Sequence, residues 1–323
     1  MKMIIGCLVL GVYLSYFGFV FLIPFLKEKK LGQSIRIDGP KEHLKKAGTP
    51  TLGGSLVVLI GFFTYFLISI ALKRPLLTYN NLLLWVTILG YFVIGFIDDY
   101  RNIHFHNNEG IKPLTKIIMQ IFVGLLSYLF YHLSGYNNEI ILFGKSINIF
   151  FIYGVWLVLV IMATSNAVNI TDGIDGLASG LVFIAFAAFA IIAYKNDNID
   201  ITLLLVSFMV SLISFMIFNL HPAKIFMGNT GSMSFGAILA ITALILKKEL
   251  ILLFIGLPFV IETLSVIIQV TYFKLTKGKR VFPMAPLHHT FEYYGMNEWQ
   301  IDLLFWSVGL LCGILGVALN GIL

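Results

Sequence analysis

Long apolar runs separated by short polar stretches make up almost the whole chain. A helix that crosses the hydrocarbon core of a bilayer needs about 20 mostly apolar residues. Ten runs approach or reach that length: residues 3–26, 52–72, 82–97, 116–134, 149–168, 176–194, 200–219, 232–246, 250–273 and 299–320. The pattern therefore predicts an all-α polytopic membrane protein with ten transmembrane helices.

Two local patterns modify this picture. The ninth run contains Gly256 and Pro258, and because proline removes a helical hydrogen bond, we expect this helix to be kinked or broken. Between the fourth and fifth runs, short apolar stretches flank Gly144-Lys145 and predict a small outer β-hairpin near residues 140–148.

Composition supports the membrane assignment, with 59% hydrophobic and only 12% charged residues. A soluble domain is less apolar and about twice as charged, at roughly 25%. No polar stretch is long enough to fold separately, so residues 1–323 are predicted to form one integral membrane domain. The net charge of +6 is attributed to cytoplasmic loops and not to nucleic-acid binding.

The distribution of Lys and Arg predicts the orientation. The loops after the odd-numbered spans hold fifteen of the 22 Lys and Arg residues. Such residues concentrate on the cytoplasmic side of membrane proteins. Because the number of spans is even, we expect both termini to be extracytoplasmic and the polar motifs described next to be at the cytoplasmic boundary.

The most polar interruption of the apolar pattern is residues 165–180, with Asn166, Asn169, Asp172 and Asp175. Polar groups at membrane depth are costly and indicate function by default. These amides and carboxylates offer donors and acceptors for a nucleobase, a sugar or a diphosphate. For Asp175, an alternative is that it caps the start of span six.

A pair of acids, Asp98 and Asp99, follows the third span. Adjacent carboxylates at the C-terminal end of a helix oppose the helix dipole, which predicts a cation beside them, either Mg²⁺ or a lysine. Lys112 and Lys116 follow in the same loop, and Lys116 is placed to face the pair from the start of span four. The alternative is a solvated boundary pair.

Two further segments suit phosphate groups. Lys46 and Thr51 precede the second span, and the glycine-punctuated segment 226–231 opens the eighth. Amides at a helix N-terminus bind anions, and Phe226 is available to stack on a base. The alternative for Asn229 is a simple N-cap of the helix.

The ninth span carries a polar stripe, Glu262, Ser265 and Gln269, and the loop after it contains His288 and His289. The stripe is also consistent with a polar contact between helices. Adjacent histidines rarely ligate one ion from a regular element, so this loop fits a phosphorylated substrate better than a transition metal.

These motifs resemble those of the phospho-N-acetylmuramoyl-pentapeptide transferases, within the polyprenyl-phosphate N-acetylhexosamine-1-phosphate transferase family. The similar segments are Gly48–Gly54, Phe96–Tyr100, Asn166–Ala178, Phe226–Gly231 and Pro283–His289. They occur in the family's order and extend over nearly the whole chain.

The resemblance implies ten transmembrane helices, a broken ninth helix beside a lipid groove, a cytoplasmic active site and usually a homodimer in the bacterial inner membrane. The implied reaction joins undecaprenyl phosphate to the β-phosphate of UDP-N-acetylmuramoyl-pentapeptide, giving lipid I and UMP for peptidoglycan synthesis. The implied cofactor is Mg²⁺, and nucleoside antibiotics are the implied inhibitors.

The resemblance also implies roles for individual residues. The catalytic candidates are Asp98, Asp99, Asn229 and His288. The substrate-binding candidates are Lys46, Thr51, Lys112, Lys116, Asn166, Asn169, Asp172, Asp175, Phe226, Gly228, Glu262 and His289. The metal-binding candidates are Asp98, Asp99, Asp172 and Asn229.

Two positions depart from the family pattern. Asn229 stands where the family usually has a Mg²⁺-ligating acid, and Thr290 stands where it has a third consecutive histidine. The alternatives are a sister transferase that uses UDP-N-acetylglucosamine and a catalytically impaired relative that binds nucleotide-sugar. A transporter is a third alternative, but the polar clusters fall at the boundary and not at the midplane, where transporter sites lie.

Overall fold

A computed structural model describes residues 2–29, 31–32, 46, 48–105 and 110–322. Over these ranges the chain forms twelve helices and one hairpin. The elements are α1 (Lys2–Glu28), α2 (Gly53–Ala71), α3 (Tyr79–Phe105), α4 (Pro113–Leu133), β1 (Glu139–Leu142), β2 (Lys145–Asn148), α5 (Ile152–Thr171), α6 (Leu177–Lys195), α7 (Ile199–Asn219), α8 (Gly228–Leu246), α9 (Glu249–Ile255), α10 (Leu257–Leu275), α11 (Leu287–Tyr293) and α12 (Glu298–Leu319). Within the described ranges, ten helices are long and apolar enough to cross a membrane.

The predicted break and hairpin are both confirmed. Gly256 separates α9 from α10, and Pro258 lies in the first turn of α10, where its missing N–H removes no helical bond. Strands β1 and β2 pair antiparallel around a turn at Phe143 and Gly144, both of which have positive φ.

Two predicted helix ends are wrong, and both bear on the site. Helix α3 continues to Phe105 instead of ending at residue 97, and α8 begins at Gly228 instead of residue 232. A hydropathy pattern places the end of a helix at the first polar residues. The helix itself continues through these residues where their side chains form hydrogen bonds within the protein. Asp98 and Asp99 therefore lie inside the last turns of α3, and Asn229 lies in the first turn of α8.

Helix α8 is the centre of the bundle and is buried almost along its entire length. It packs mainly against α3 and α5, and small residues allow close approach. A Cβ on Gly236 would collide with the backbone of Ser165 in α5. The Ser165 hydroxyl donates to the carbonyl oxygen of Met233 at 3.0 Å.

Outward-facing positions of the long helices are strongly apolar. Helix α1 leaves Phe17 and Phe21 exposed, α4 exposes Phe122, and α12 exposes Leu311. Such faces are stable only against lipid or another apolar surface, as expected for a multi-pass membrane protein.

Candidate functional site

The polar residues identified in the sequence gather at one end of the helices, where four connections meet. The first three are the α3–α4 loop, the α5–α6 turn and the α7–α8 loop, and the fourth is the segment that joins α10 to α11. Hydrogen bonds join α8 to both α3 and α5, and the α3–α4 loop to α3. The α5–α6 turn is bonded to the α7–α8 loop and lies in close contact with α11.

Asp98 is bound by the α3–α4 connection. Its Oδ2 accepts from Lys116 Nζ at 2.9 Å, and its Oδ1 accepts from the backbone N–H of Ile111 at 2.6 Å. Gly110 has positive φ, and a Cβ there would collide with the same carboxylate. The cation that the sequence predicted beside the acid pair is therefore Lys116, at the distance of an ion pair.

Asp99 caps the N-terminus of α8. Its Oδ1 accepts from Asn229 N at 2.9 Å, while its Oδ2 accepts from Thr230 N at 2.8 Å and from the Thr230 hydroxyl at 2.6 Å. A carboxylate at this position satisfies amides that have no partner within their own helix. Asp99 is 4% exposed, so it is an internal cap joining two helices.

Two glycines make this contact possible. Gly95 lies one turn before Asp99, and a Cβ there would collide with the backbone of Asn229. Gly228 has positive φ, and a Cβ there would press on the Asp99 carboxylate. Asp99 already accepts from the amides of Asn229 and Thr230, so the predicted binding of phosphate by the N-terminal amides of α8 is not supported for these two groups.

Asn229 faces α5. Its Oδ1 accepts from Asn169 Nδ2 at 2.6 Å, and the same Nδ2 group donates to the Ser232 hydroxyl at 2.8 Å. Both asparagines are half-buried. A carboxylate at position 229 would accept the same bond, so the contact with Asn169 does not require an asparagine there.

Asp172 differs from its neighbours because no described residue donates a hydrogen bond to its carboxylate. It follows the last residue of α5 and is half-buried. Burial raises its pKa to about 8, and the carboxylates of Asp99 and Asp175 add to the rise. Within the described part of the chain, negative charge at this position lacks a compensating cation.

Asp175 is the centre of an ionic cluster. Its Oδ1 accepts from Lys46 Nζ at 2.7 Å, and its Oδ2 accepts from Ala223 N at 2.9 Å and lies 3.1 Å from His221 Nδ1. Glu298, in the first turn of α12, accepts from Lys46 Nζ at 2.7 Å and from Asp175 N at 2.9 Å. Asp175 does not cap α6, whose N-cap residue has no side-chain bond.

This cluster also has the geometry of a metal site. Asp175, His221 and Glu298 each place one ligand atom within 4.8 Å of the others. The ammonium of Lys46 already contacts both carboxylates, so the cation between them in this structure is a lysine. Asp302, one turn further along α12, is fully buried, and neither of its carboxylate oxygens has a partner among the described residues.

Asn166 serves to join two helices. Its amide exchanges two hydrogen bonds with the Gln120 amide at 3.2 and 3.3 Å, and its Nδ2 also donates to Met162 O at 2.8 Å. Its donor and acceptor groups are thus used within the bundle. The prediction that Asn166 contacts substrate is not supported by this arrangement.

The segment before α8 pairs with the segment before α2. Phe226 N donates to Pro50 O at 2.8 Å, and Gly53 N donates to Phe226 O at 2.9 Å. This pairing fixes the backbone of Phe226 and leaves its ring half-buried. Thr51 is buried against Gly228, whereas Lys112 is exposed at the N-cap of α4.

Glu262 does not reach the surface of the site. It is fully buried in α10, and its carboxylate accepts from His288 N at 3.1 Å and lies 3.1 Å from His288 Nδ1. Both oxygens of Glu262 are thus used within the protein, and the predicted direct contact with substrate is not supported by this arrangement. His289 is half-buried, and its Nδ1 bonds Glu292 at 2.6 Å.

The remaining polar residues of this region hold the loop that leads to α11. Gln269 accepts from Val281 N and Phe282 N at 3.0 and 2.9 Å, and the Thr290 hydroxyl donates to Met284 O. Thr290, which replaces the third histidine, is thus an anchor within this loop.

The sequence analysis missed Glu298 and His221. Glu298 had no distinctive signal, because an acid in the first turn of a helix is common. His221 belongs to the Asn219–Pro222 segment, which marks the end of α7, and only the fold brings it against Asp175.

The site combines two partly exposed lysines with a half-buried carboxylate, Asp172, for which the described residues supply no compensating cation. Lys46 and Lys116 are mostly buried, with 16% and 18% of the side chain exposed, so part of each side chain is open to an anionic ligand. Asp172 is available to a cation. Cations together with an open carboxylate are what phosphoryl transfer requires, since its catalysis is mostly positioning and charge stabilisation.

The chain is similar to known proteins over most of its length. Residues 81–247 match the model of glycosyl transferase family 4. The phospho-N-acetylmuramoyl-pentapeptide-transferase of Bacillus licheniformis is 42% identical over 318 residues, which cover 98% of this chain and 97% of that protein. The proteins of the same name from a Geobacillus species and from Bacillus subtilis are 44% and 41% identical, covering 96% and 98% of this chain and 97% of each relative.

Proposed function

The chain belongs to the phospho-N-acetylmuramoyl-pentapeptide transferase family, and we propose that it transfers phospho-N-acetylmuramoyl-pentapeptide from UDP-N-acetylmuramoyl-pentapeptide to undecaprenyl phosphate. The products are lipid I and UMP. The observation that carries the proposal is the convergence of Lys46, Lys116 and Asp172 at one end of the bundle, on segments that resemble those of the family. Two anionic substrates brought together need such cations.

Lys116 is proposed to bind the phosphate of the lipid acceptor. Asp98 Oδ2 lies 2.9 Å from the Lys116 ammonium, and this contact fixes the position of the ammonium group. The second pKa of a phosphate monoester is about 6, so the attacking oxygen is already ionised at neutral pH. A positioning role for Asp98 therefore suffices, and no strong base is needed.

The UDP part is proposed to bind beside the Lys46–Asp175 ion pair. Asp175 and Glu298 hold the ammonium in place, and the half-buried ring of Phe226 offers an apolar face for uracil. His288 and His289, which are packed edge to face at 4.2 Å, lie beside the α5–α6 turn and are proposed to contact the diphosphate side.

The donor set fits a divalent cation, which we propose to be Mg²⁺. Among the described residues, Asp172 has neither a hydrogen-bond donor nor a compensating cation. Asn229 Oδ1 is an amide oxygen bonded to Asn169, which lies three residues before Asp172. Mg²⁺ is usually held by one or two carboxylates together with substrate phosphates and waters. Bound there, it would neutralise charge on the diphosphate.

Asp98 and Asp99 fit a metal less well than the sequence predicted. Lys116 pairs with Asp98, and three donors from α8 saturate Asp99. Ligation by either would require these bonds to break. We therefore propose Asp172 and Asn229 as the protein ligands, which leaves a site with one charged ligand.

The cellular setting is proposed from the resemblance and from the charge distribution. The site lies at the end of the bundle that carries the connections after the odd-numbered spans, and these connections hold most of the Lys and Arg residues. This favours a cytoplasmic site in the bacterial inner membrane with both termini outside. One integral domain, a homodimer and inhibition by nucleoside antibiotics are further proposals of the same kind.

Product analysis tests the function. The purified chain in lipid vesicles is incubated with UDP-N-acetylmuramoyl-pentapeptide, undecaprenyl phosphate and Mg²⁺, and UMP and lipid I are quantified together. We expect equal amounts of both, and much less product when UDP-N-acetylglucosamine replaces the muramoyl substrate. Preference for UDP-N-acetylglucosamine would indicate the sister transferase, whereas binding without turnover would indicate the impaired relative suggested by Asn229.

A further inference from the structure

Glu262 holds both the backbone and the ring of His288. One carboxylate oxygen accepts from the His288 backbone N–H and the other lies against Nδ1, each at 3.1 Å. Both residues are fully buried, and they belong to different helices, α10 and α11. A single side chain thus fixes both the backbone position of His288 and the direction in which its ring points.

This contact leaves one ring nitrogen unused. A carboxylate accepts hydrogen bonds, so Nδ1 carries the hydrogen and Nε2 is the nitrogen left over. Nε2 has no partner among the described residues, although His288 is fully buried. An unpaired buried polar atom is costly and calls for an explanation.

The direction of Nε2 supplies that explanation. It points at Gly173, where a Cβ would collide with it, and Gly173 directly follows Asp172. Only a residue without a side chain leaves room for the ring at this place. The free nitrogen of His288 is therefore directed at the turn that carries the open carboxylate of the site.

We propose that Glu262 is a positioning residue for phosphate recognition by His288. By fixing the ring through Nδ1 and the backbone N–H, it directs Nε2 to the α5–α6 turn, where the diphosphate of the substrate binds. The identity of the ligand in this inference rests on the proposed function. The orientation of the His288 ring does not depend on that function.

The first test is spectroscopic and does not depend on activity. Nitrogen NMR of the chain labelled with ¹⁵N-histidine and reconstituted in lipid nanodiscs reports which ring nitrogen carries the hydrogen. His288→Gln identifies the signal. We expect a protonated Nδ1 that is lost in Glu262→Gln, whose amide can accept from only one of the two donors. A His288 signal with an unprotonated Nδ1 in the native chain would overturn the proposal.

The second test is a double-mutant cycle on UMP release. Loss of the partner that orients a metal-binding histidine typically costs about 10- to 100-fold in affinity or activity. By analogy we expect a decrease of this size in kcat for Glu262→Gln, with little change in the KM for the UDP-sugar. Because Glu262 acts through His288, adding Glu262→Gln to His288→Gln should lower kcat no further. Equal decreases in both backgrounds would assign Glu262 a merely structural role and overturn the proposal.

Ser265→Ala is the matched control. Ser265 lies on the same buried stripe of α10, and its hydroxyl donates to Glu262 O at 2.6 Å without touching His288. We expect native kcat and a native histidine spectrum in this variant. If the native chain releases no UMP, the proposed function fails, whereas the NMR result still decides the positioning of His288.

Discussion

Replacing Asp99 with asparagine tests whether this residue anchors α8 or takes part in the reaction. The carboxylate accepts from two backbone N–H groups and one hydroxyl at the start of α8. An asparagine has one oxygen, so it can still accept from Thr230, but its amide then faces the N–H of Asn229. The change keeps the volume of the side chain and removes one acceptor and one charge.

The magnitude follows from these two losses. A buried donor without an acceptor costs about 1–3 kcal/mol. Loss of a negative charge at a helix N-terminus costs about 0.3–1 kcal/mol. We therefore expect Asp99→Asn to lower the free energy of unfolding by about 1–4 kcal/mol, measured by titration with sodium dodecyl sulfate in mixed micelles.

Activity separates the two roles. If Asp99 is a cap, the folded fraction of Asp99→Asn should retain the Mg²⁺ concentration for half-maximal UMP release seen in the native chain. Asp98→Asn is the matched control for stability. It changes the adjacent carboxylate of the same helix, but that carboxylate contacts Lys116 and not α8, so the anchoring of α8 should be unaffected. Native stability of Asp99→Asn together with a weakened Mg²⁺ response would refute the capping role.

Three further predictions address the other parts of the site. Lys116→Gln removes a charge-assisted bond worth about 1.5–3 kcal/mol, so the KM for undecaprenyl phosphate should rise at least tenfold while that for the UDP-sugar stays the same; a rise in the latter alone would contradict this assignment. Asp172→Asn removes the proposed charged metal ligand, so UMP release should fall below a hundredth even at high Mg²⁺, and native turnover would exclude this ligand. Gly95→Ala places a methyl group against the backbone of Asn229 and should cost about 1–3 kcal/mol of stability by overpacking, whereas Gly6→Ala, where a Cβ meets nothing within 4 Å, should not.

The membrane architecture was predictable because it depends on local composition. Ten apolar runs became ten long helices, and Gly256 with Pro258 marked the break between α9 and α10. The pairing of Lys116 with Asp98 was also predictable, since 18 residues separate them and the loop between them must bring the two helix ends together.

Long-range partners could not be predicted in the same way. Asp99 meets α8 through residues about 130 positions away, and Lys46 meets Glu298 across 252. A side chain such as Asp99 reads as a metal ligand when only its neighbours in sequence are known. The fold supplies amide donors to Asp99 instead, whereas no described residue donates to the carboxylate of Asp172, which we propose as the metal ligand.

The most direct test of the account is UMP release, with titrated Mg²⁺, from the native chain and from Asn229→Asp. We expect both to depend on Mg²⁺ and on undecaprenyl phosphate. A carboxylate at position 229 should lower the Mg²⁺ concentration for half-maximal rate by about tenfold, which corresponds to about 1.4 kcal/mol of binding free energy. An unchanged Mg²⁺ requirement would show that residue 229 is not a ligand, and absence of UMP from both proteins would contradict the transferase itself.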